Sequence, residues 1–223
     1  EVNGYNLSGA SLSGADLAHT DLSKANLAGA NLAGADLSGA NLSGANLAGA
    51  DLSGVCLDQA DLTDADLSGV CLDQADLTGA DLTEADFSKV NLTGVDLTYV
   101  ELGGANLSGA NLAGADLSGV YLVDTNLSGA DLSKANLAGA NLAGANLAGA
   151  NLAEVNLTEA YLYGVNLTEA NLYRADFTEA DLTRAYFLQH EVLDESTVWP
   201  EGFTLHLHNK AGVSRVWRFT PSR

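Results

Sequence analysis

From Leu7 onward a large apolar residue recurs at every fifth position, without a slip, until Phe187. The run comprises 37 pentads, and only Phe87, Phe177 and Phe187 stand in place of leucine. Two places before each sits a small residue, nearly always Ala and sometimes Val, with Tyr5, Thr20 and Thr125 as exceptions. Asn or Asp usually stands between the two; Ser, Thr or Ala tends to follow the Leu, and Gly usually closes the unit. A long helix cannot use this period. At 3.6 residues per turn, a step of five carries each Leu about 140° round the axis, and no apolar stripe forms. Within one pentad, however, small–polar–Leu alternates in, out, in, as a short strand does. The last two residues must then turn a corner so that the next pentad starts inward again.

Gly suits such a corner because it tolerates positive φ. Lys24, Glu84, Lys89, Glu154, Arg174 and Arg184 occupy the same slot, which predicts that many corners are of a kind ordinary L-residues accept. The chain therefore reads as a coil of short extended sides around an aliphatic axis, with its backbone polar groups satisfied by the coils above and below. The aliphatic character fits a content that is 47% hydrophobic but only 6% aromatic. Phe87, Val90, Val95 and Val100 fall within one turn and predict a local swelling of the core.

The unit A(D/N)LXX resembles the signature of the pentapeptide repeat family and covers about four-fifths of the chain. The resemblance implies an all-β fold, a right-handed quadrilateral parallel β-helix with four pentads per coil. At that rate the chain makes a little over nine, about nine, coils, and at ~4.8 Å between neighbouring strands the rod is roughly 44 Å long. It divides into a β-helix over residues 1–190 and a C-terminal capping segment over 191–223.

The phrase SGVCLDQADLT occurs twice, fifteen residues apart, and carries the two cysteines, Cys56 and Cys71. Both take the outward slot. Fifteen residues is one pentad short of a coil, so the thiols belong on different faces, too far apart for the ~4.4–6.8 Å Cα separation of a disulfide. No further Cys or His stands at a ligand spacing. The doubling reads as repeat expansion rather than a redox or metal site, and no cofactor is expected.

Charge is unevenly placed. The formal net charge is −20, and residues 1–190 hold 25 of the 29 acidic residues against five basic ones. Such a surface repels nucleic acid and anionic lipid. No apolar run is long enough to span a bilayer. The expected location is the cytoplasm, with a processed exported or lumenal form as the alternative. The absence of Met suggests that Glu1 is not the genetic start. With residues 20 apart stacked, Asp76, Asp96 and Asp116 form one ladder and Asp61, Asp81 and Glu101 another on the adjacent face. Like charges at that spacing repel, so some of these carboxylates are expected to titrate above their ordinary values.

After Phe187 the pattern ends. Val192, Leu193, Val198, Trp199 and Phe203 are candidates to cover the last coil, with Pro200 and Gly202 at the turn. The phrase formed by Trp199, Pro200, Gly202 and Phe203 is similar to the ends of cyanobacterial-type members of the family. TLHLH and VSRVWRF are suited to a hairpin through Asn209–Gly212. His206 and His208 share a strand face, the more ordinary reading being solvated side chains rather than metal ligands.

Nothing here has the pattern of an active site. His19 is a lone corner residue, no nucleophile–base–orienter set is visible, and the phosphate-loop pattern GxxxxGK[ST] is absent. The chain reads as a non-catalytic solenoid, a scaffold or spacer whose protein partner is unknown. Its candidate contacts are the outward Tyr99, Tyr121, Tyr161, Tyr163, Tyr173 and Tyr186, mostly in the C-terminal third. An alternative follows from charge. Net −20 over ~44 Å is about one charge per 2 Å, against ~1.7 Å for duplex DNA. Some members of the resembled family occupy the DNA-binding saddle of DNA gyrase, which makes the acidic ladders a candidate DNA-mimicking face. The uninterrupted pentads depart from several of those members, which carry projecting loops. The rod is expected as a monomer or as a homodimer through one of its ends.

Overall fold

A computed structural model describes residues 4–93, 95, 97, 100–188, 196–201, 205–208 and 216–219. Parallel bridges link each outward residue to the one 20 positions on, such as Asn26 to Asn46 and Asp61 to Asp81, so four pentads make one coil. The coil has four faces, named here by their N-terminal members: Asn6 on the first, Ser11 on the second, Asp16 on the third and Asp21 on the fourth. On the first face nine consecutive bridges run without a gap from Asn6 to Tyr186.

One pentad shows why the repeat has this composition, since all five of its amides find acceptors. In residues 26–30, Asn26 N–H donates to Tyr5 O at 2.8 Å, Leu27 N–H to Asn46 O at 2.7 Å and Gly29 N–H to Ala48 O at 2.9 Å. Ala30 N–H closes the turn onto Leu27 O at 2.9 Å. The fifth amide, Ala28 N–H, has no carbonyl in reach and donates to the Asn26 side-chain Oδ1 at 3.2 Å. A side-chain oxygen two residues upstream is therefore a requirement of the turn, met by Asn or Asp. The same bond recurs, for example from Ser38 N to Asp36 Oδ1 and from Ala143 N to Asn141 Oδ1.

The corners overturn one expectation. Lys24, Glu84, Lys89, Glu154, Arg174 and Arg184 do not take ordinary turn conformations; each has a φ between +54° and +62°, like the glycines they replace. Coil closure and the bond from the corner amide to the next coil, such as Lys24 N to Ser43 O at 2.9 Å, impose the left-handed conformation whatever the side chain. Its cost of roughly 1–2 kcal/mol for an L-residue is carried by the surrounding ladder.

Inside, the Leu and Ala columns form a single core in which nearly every member from Ala25 to Phe187 is less than 7% exposed. Thr125 replaces an Ala and is fully buried; its hydroxyl donates to Leu102 O at 2.7 Å, which satisfies it. At the C-terminal end Val198 bridges Asp176, continuing the third face two residues out of step with the repeat. Trp199 lies flat on Phe177, ring centroids 5.0 Å apart, and edge-on to Phe187 at 5.7 Å. Thr197 Oγ1 donates to Leu172 O at 2.7 Å, and Pro200 is buried. Val198, expected to cover the core, instead points outward and is 48% exposed, because the alternation that buries Thr197 and lays Trp199 on the core turns it away. Strands β1 (Phe187–Leu188), β2 (Leu205–His208) and β3 (Val216–Phe219) form an antiparallel sheet in the order β1-β3-β2, so the expected hairpin pairs Leu205 with Phe219 and His208 with Val216. Val192, Leu193, Gly202, Phe203 and the hairpin turn lie outside the described residues.

Candidate functional site

Two surfaces come out of this geometry, one acidic and one aromatic. On the fourth face Asp61, Asp81 and Glu101 bridge in direct succession. On the adjacent third face Asp76 bridges Cys56, and Asp116 bridges Asn136. Asp96 and Tyr99 lie outside the described residues. Asp76, Asp81, Glu101 and Asp116 are exposed.

The expected upward titration does not hold for the carboxylates whose values move. The Thr78 hydroxyl, and then the Thr78 amide, hold the Asp76 carboxyl below its ordinary value. Ser118 does the same for Asp116, hydroxyl first. Asp21, Asp36, Asp51 and Asp131 are lowered in the same way by the Ser two residues on. Hydrogen bonds to the charged form outweigh repulsion between solvated neighbours, which water screens. One oxygen of each carboxylate is thus spent on its own turn, the short 2.6 Å contact from Ser38 Oγ to Asp36 Oδ1 being typical.

The C-terminal half differs in kind. There the outward amides form side-chain ladders: Asn106 Nδ2 donates to Asp86 Oδ1, Asn126 to Asn106, Asn146 to Asn126 and Asn166 to Asn146, at 3.0 to 3.3 Å. Shorter ladders run from Asp116 through Asn136 to Asn156, and from Asp131 through Asn151 to Asn171. An ionised Asp accepts but cannot donate, so it fits only at the N-terminal top of such a ladder. Asp86, Asp116 and Asp131 all stand there.

On the fourth face, below Glu101, come Tyr121, Asn141 and Tyr161. Tyr121 is 48% and Tyr161 43% exposed. Tyr161 stacks on Tyr163, centroids 6.2 Å apart and planes 9° from parallel, and the Arg184 guanidinium lies 5.2 Å from the Tyr163 ring centre. The four predicted tyrosines do not form one surface. Tyr173, with Arg174 5.0 Å from its ring centre, sits on the diagonally opposite corner, and Tyr186 continues the first face. The sequence reading missed Arg184, whose partner stands 21 residues away and becomes a neighbour only through the coil period.

Cys56 and Cys71 are free thiols on the third and second faces. Among the described residues there is no group of three or more His, Cys, Asp or Glu that could hold a metal ion. Nor is any helix there long and apolar enough to cross a membrane.

The model for pentapeptide repeats matches the chain in eight copies, over stretches that include residues 6–44, 60–98, 101–137 and 150–189. The chain belongs to the pentapeptide repeat family. Among solved structures it is similar to HetL, a pentapeptide repeat protein involved in heterocyst differentiation regulation from the cyanobacterium Nostoc. They share 37% identity over 79% of this chain and 84% of HetL, with a TM-score of 0.64. Full-length QnrB1, a plasmid-mediated fluoroquinolone resistance protein, matches at 19% identity over 85% of this chain and 95% of that one, TM-score 0.47. A pentapeptide repeat protein of the Arabidopsis thaliana thylakoid lumen matches at 33% identity over 55% and 68%, TM-score 0.22. No curated protein matches the chain.

Proposed function

We propose that this member of the family is a non-catalytic interaction scaffold, cytoplasmic, whose partner is a protein bound at the Tyr161–Tyr163–Arg184 surface. The rod is taken as right-handed, as the family resemblance implies, with about nine coils. The observation that carries the reading is the stack of Tyr161 on Tyr163 under Arg184, held out on a rigid corner. Tyr and Arg are the residue types that dominate binding energy at protein interfaces, and here a packed solenoid orients them in advance. Many of the Asp, Ser and Thr side chains are hydrogen-bonded into their own turns, as Ser38 Oγ to Asp36 Oδ1 and Thr78 Oγ1 to Asp76 Oδ1 are. A regulatory relative such as HetL is in keeping with a protein that acts by binding.

The test is affinity capture with the whole chain and with a Tyr161→Ser/Tyr163→Ser/Arg184→Ser variant, at low and at high salt. A partner retained at high salt and lost with the variant supports the reading; partners that ignore the variant refute it.

A second reading keeps the unbroken carboxylate run Asp61–Asp81–Glu101 as a DNA-mimicking face toward a type II topoisomerase such as DNA gyrase. Its support is the charge density, close to that of duplex DNA. Binding of that kind weakens steeply with salt and requires the carboxylates.

A further inference from the structure

The bridge pattern is interrupted in one region. Among the described residues, Asn91 N makes no bond to Val70 O, nor Leu72 N to Asn91 O, and no bridge joins Cys71 to Asn91. The corner bonds from Gly69 to Ser88 and from Gln74 to Thr93 are missing as well. One coil further on, the same holds for Asp116 N with Val95 O, Leu97 N with Asp116 O and Tyr121 N with Val100 O. The first face stays closed at the same height: Asp86 N to Ala65 O and Asn106 N to Ala85 O are both 2.9 Å, and Phe87 N to Asn106 O is 2.8 Å. The losses thus fall on the second face, the third and the edge of the fourth, while the first face remains continuous.

The core explains the location. In the four small-residue columns a Val lies directly over a Val at two places only, Val70 over Val90 and Val100 over Val120. At both, the amide that should bond across the stack is unpaired. Away from these stacks an isolated Val between alanines keeps its bond: Asp76 N reaches Val55 O at 2.9 Å and Tyr186 N reaches Val165 O at 2.8 Å, whereas Val95, equally isolated but in the same coil as Val90 and Val100, loses its own. A large ring alone does no harm either, since the Leu157 amide bonds above Phe177 to Asp176 O at 2.8 Å. Two β-branched side chains, one coil spacing apart in a column sized for Ala, over-fill a close-packed interior. Val95 adds to the same coil.

We propose that this seam is a hinge, with the first face as its spine. The spine is reinforced by the side-chain bond of Asn106 to Asp86 across the seam. Bending there turns the acidic block, with Asp61, Asp76 and Asp81, against the block that presents Tyr161, Tyr163 and Arg184. On the scaffold reading, on which this rests, the Tyr161–Tyr163–Arg184 block then changes its angle to the rest of the rod without either block losing its shape.

Amide exchange by NMR on the whole chain tests the hinge. The amides of Leu72, Asn91, Asp116 and Tyr121 are expected to exchange on the order of 100-fold faster than those of Asp86 and Asn106 at the same height. Protection equal to the spine overturns the proposal. In Val90→Ala/Val100→Ala, which restores the residue most common in these columns, the seam amides are expected to slow to the spine's rate; continued fast exchange overturns the role of the stacks. Spin labels at Asp76→Cys and Asp116→Cys, with Cys56→Ser and Cys71→Ser, read the opening directly. A broad distance distribution that narrows with Val90→Ala/Val100→Ala is expected, and a single narrow one in the parent excludes bending.

Discussion

Asn and Asp hold the second place of the pentad because one amide in five has no backbone acceptor, as Ala28 N on Asn26 Oδ1 shows. Where Cys56 stands, the Asp58 amide lacks that oxygen. Cys56→Asn is expected to raise stability by about 1 kcal/mol in urea unfolding, the net worth of one hydrogen bond; an unchanged midpoint contradicts the assignment. The serines are tied to the same turn, and this has a consequence for pH. The folded Asp36 carboxyl is lowered chiefly by the Ser38 hydroxyl. A depressed folded value contributes stability that is present above the unfolded value of about 3.9 and is lost as pH falls through the lower folded one. Ser38→Ala should bring the Asp36 titration, followed by NMR, back up toward the ordinary value. The corners offer a third test. Lys134 has φ +61°, so Lys134→Gly removes left-handed strain at some entropic cost and should stabilise by about 0.5–1 kcal/mol. A loss of stability there means that the corner is not strained.

At the scale of elements, the sequence made the coil legible because Leu and Ala repeat at a fixed period that fits neither a long helix nor a long strand. The bridges at a separation of 20 match the four-pentad coil that the family resemblance implied. Corner conformation was not legible, since Lys and Glu in a glycine slot look like evidence against positive φ. Only the closed hydrogen bonds show that the backbone overrides the side chain. Phe87 and its valines marked the seam's coil in the sequence, but the missing ladder bonds there were not foreseen. The Val70/Val90 and Val100/Val120 stacks emerge once columns are read 20 residues apart. The cap was legible in Trp199, less so in Val198, whose alternation depends on a two-residue offset. Trp199 covers Phe177 and Phe187. Trp199→Ala is expected to cost about 3 kcal/mol, since a large aromatic is removed from a half-covered site. A change below about 1 kcal/mol would mean that Trp199 does not seal the core.

Across the whole molecule, the two candidate surfaces separate along the axis. The N-terminal half carries stacked carboxylates such as Asp61 over Asp81, and the C-terminal half carries amide ladders and Tyr121, Tyr161 and Tyr163. The acidic ladders could be read from the sequence by counting in twenties, whereas the joining of Tyr163 to Arg184, and the separation of Tyr173 from both, required the corners to be placed in space. The measurement that bears most directly on the interaction-scaffold account is a DNA gyrase supercoiling assay. The purified whole chain is titrated in at low and moderate salt, beside an Asp61→Asn/Asp76→Asn/Asp81→Asn variant. The account predicts no inhibition by either protein at a large molar excess. Inhibition at micromolar levels or below, weakened by salt and abolished in the variant, would contradict it and make the acidic faces the functional site.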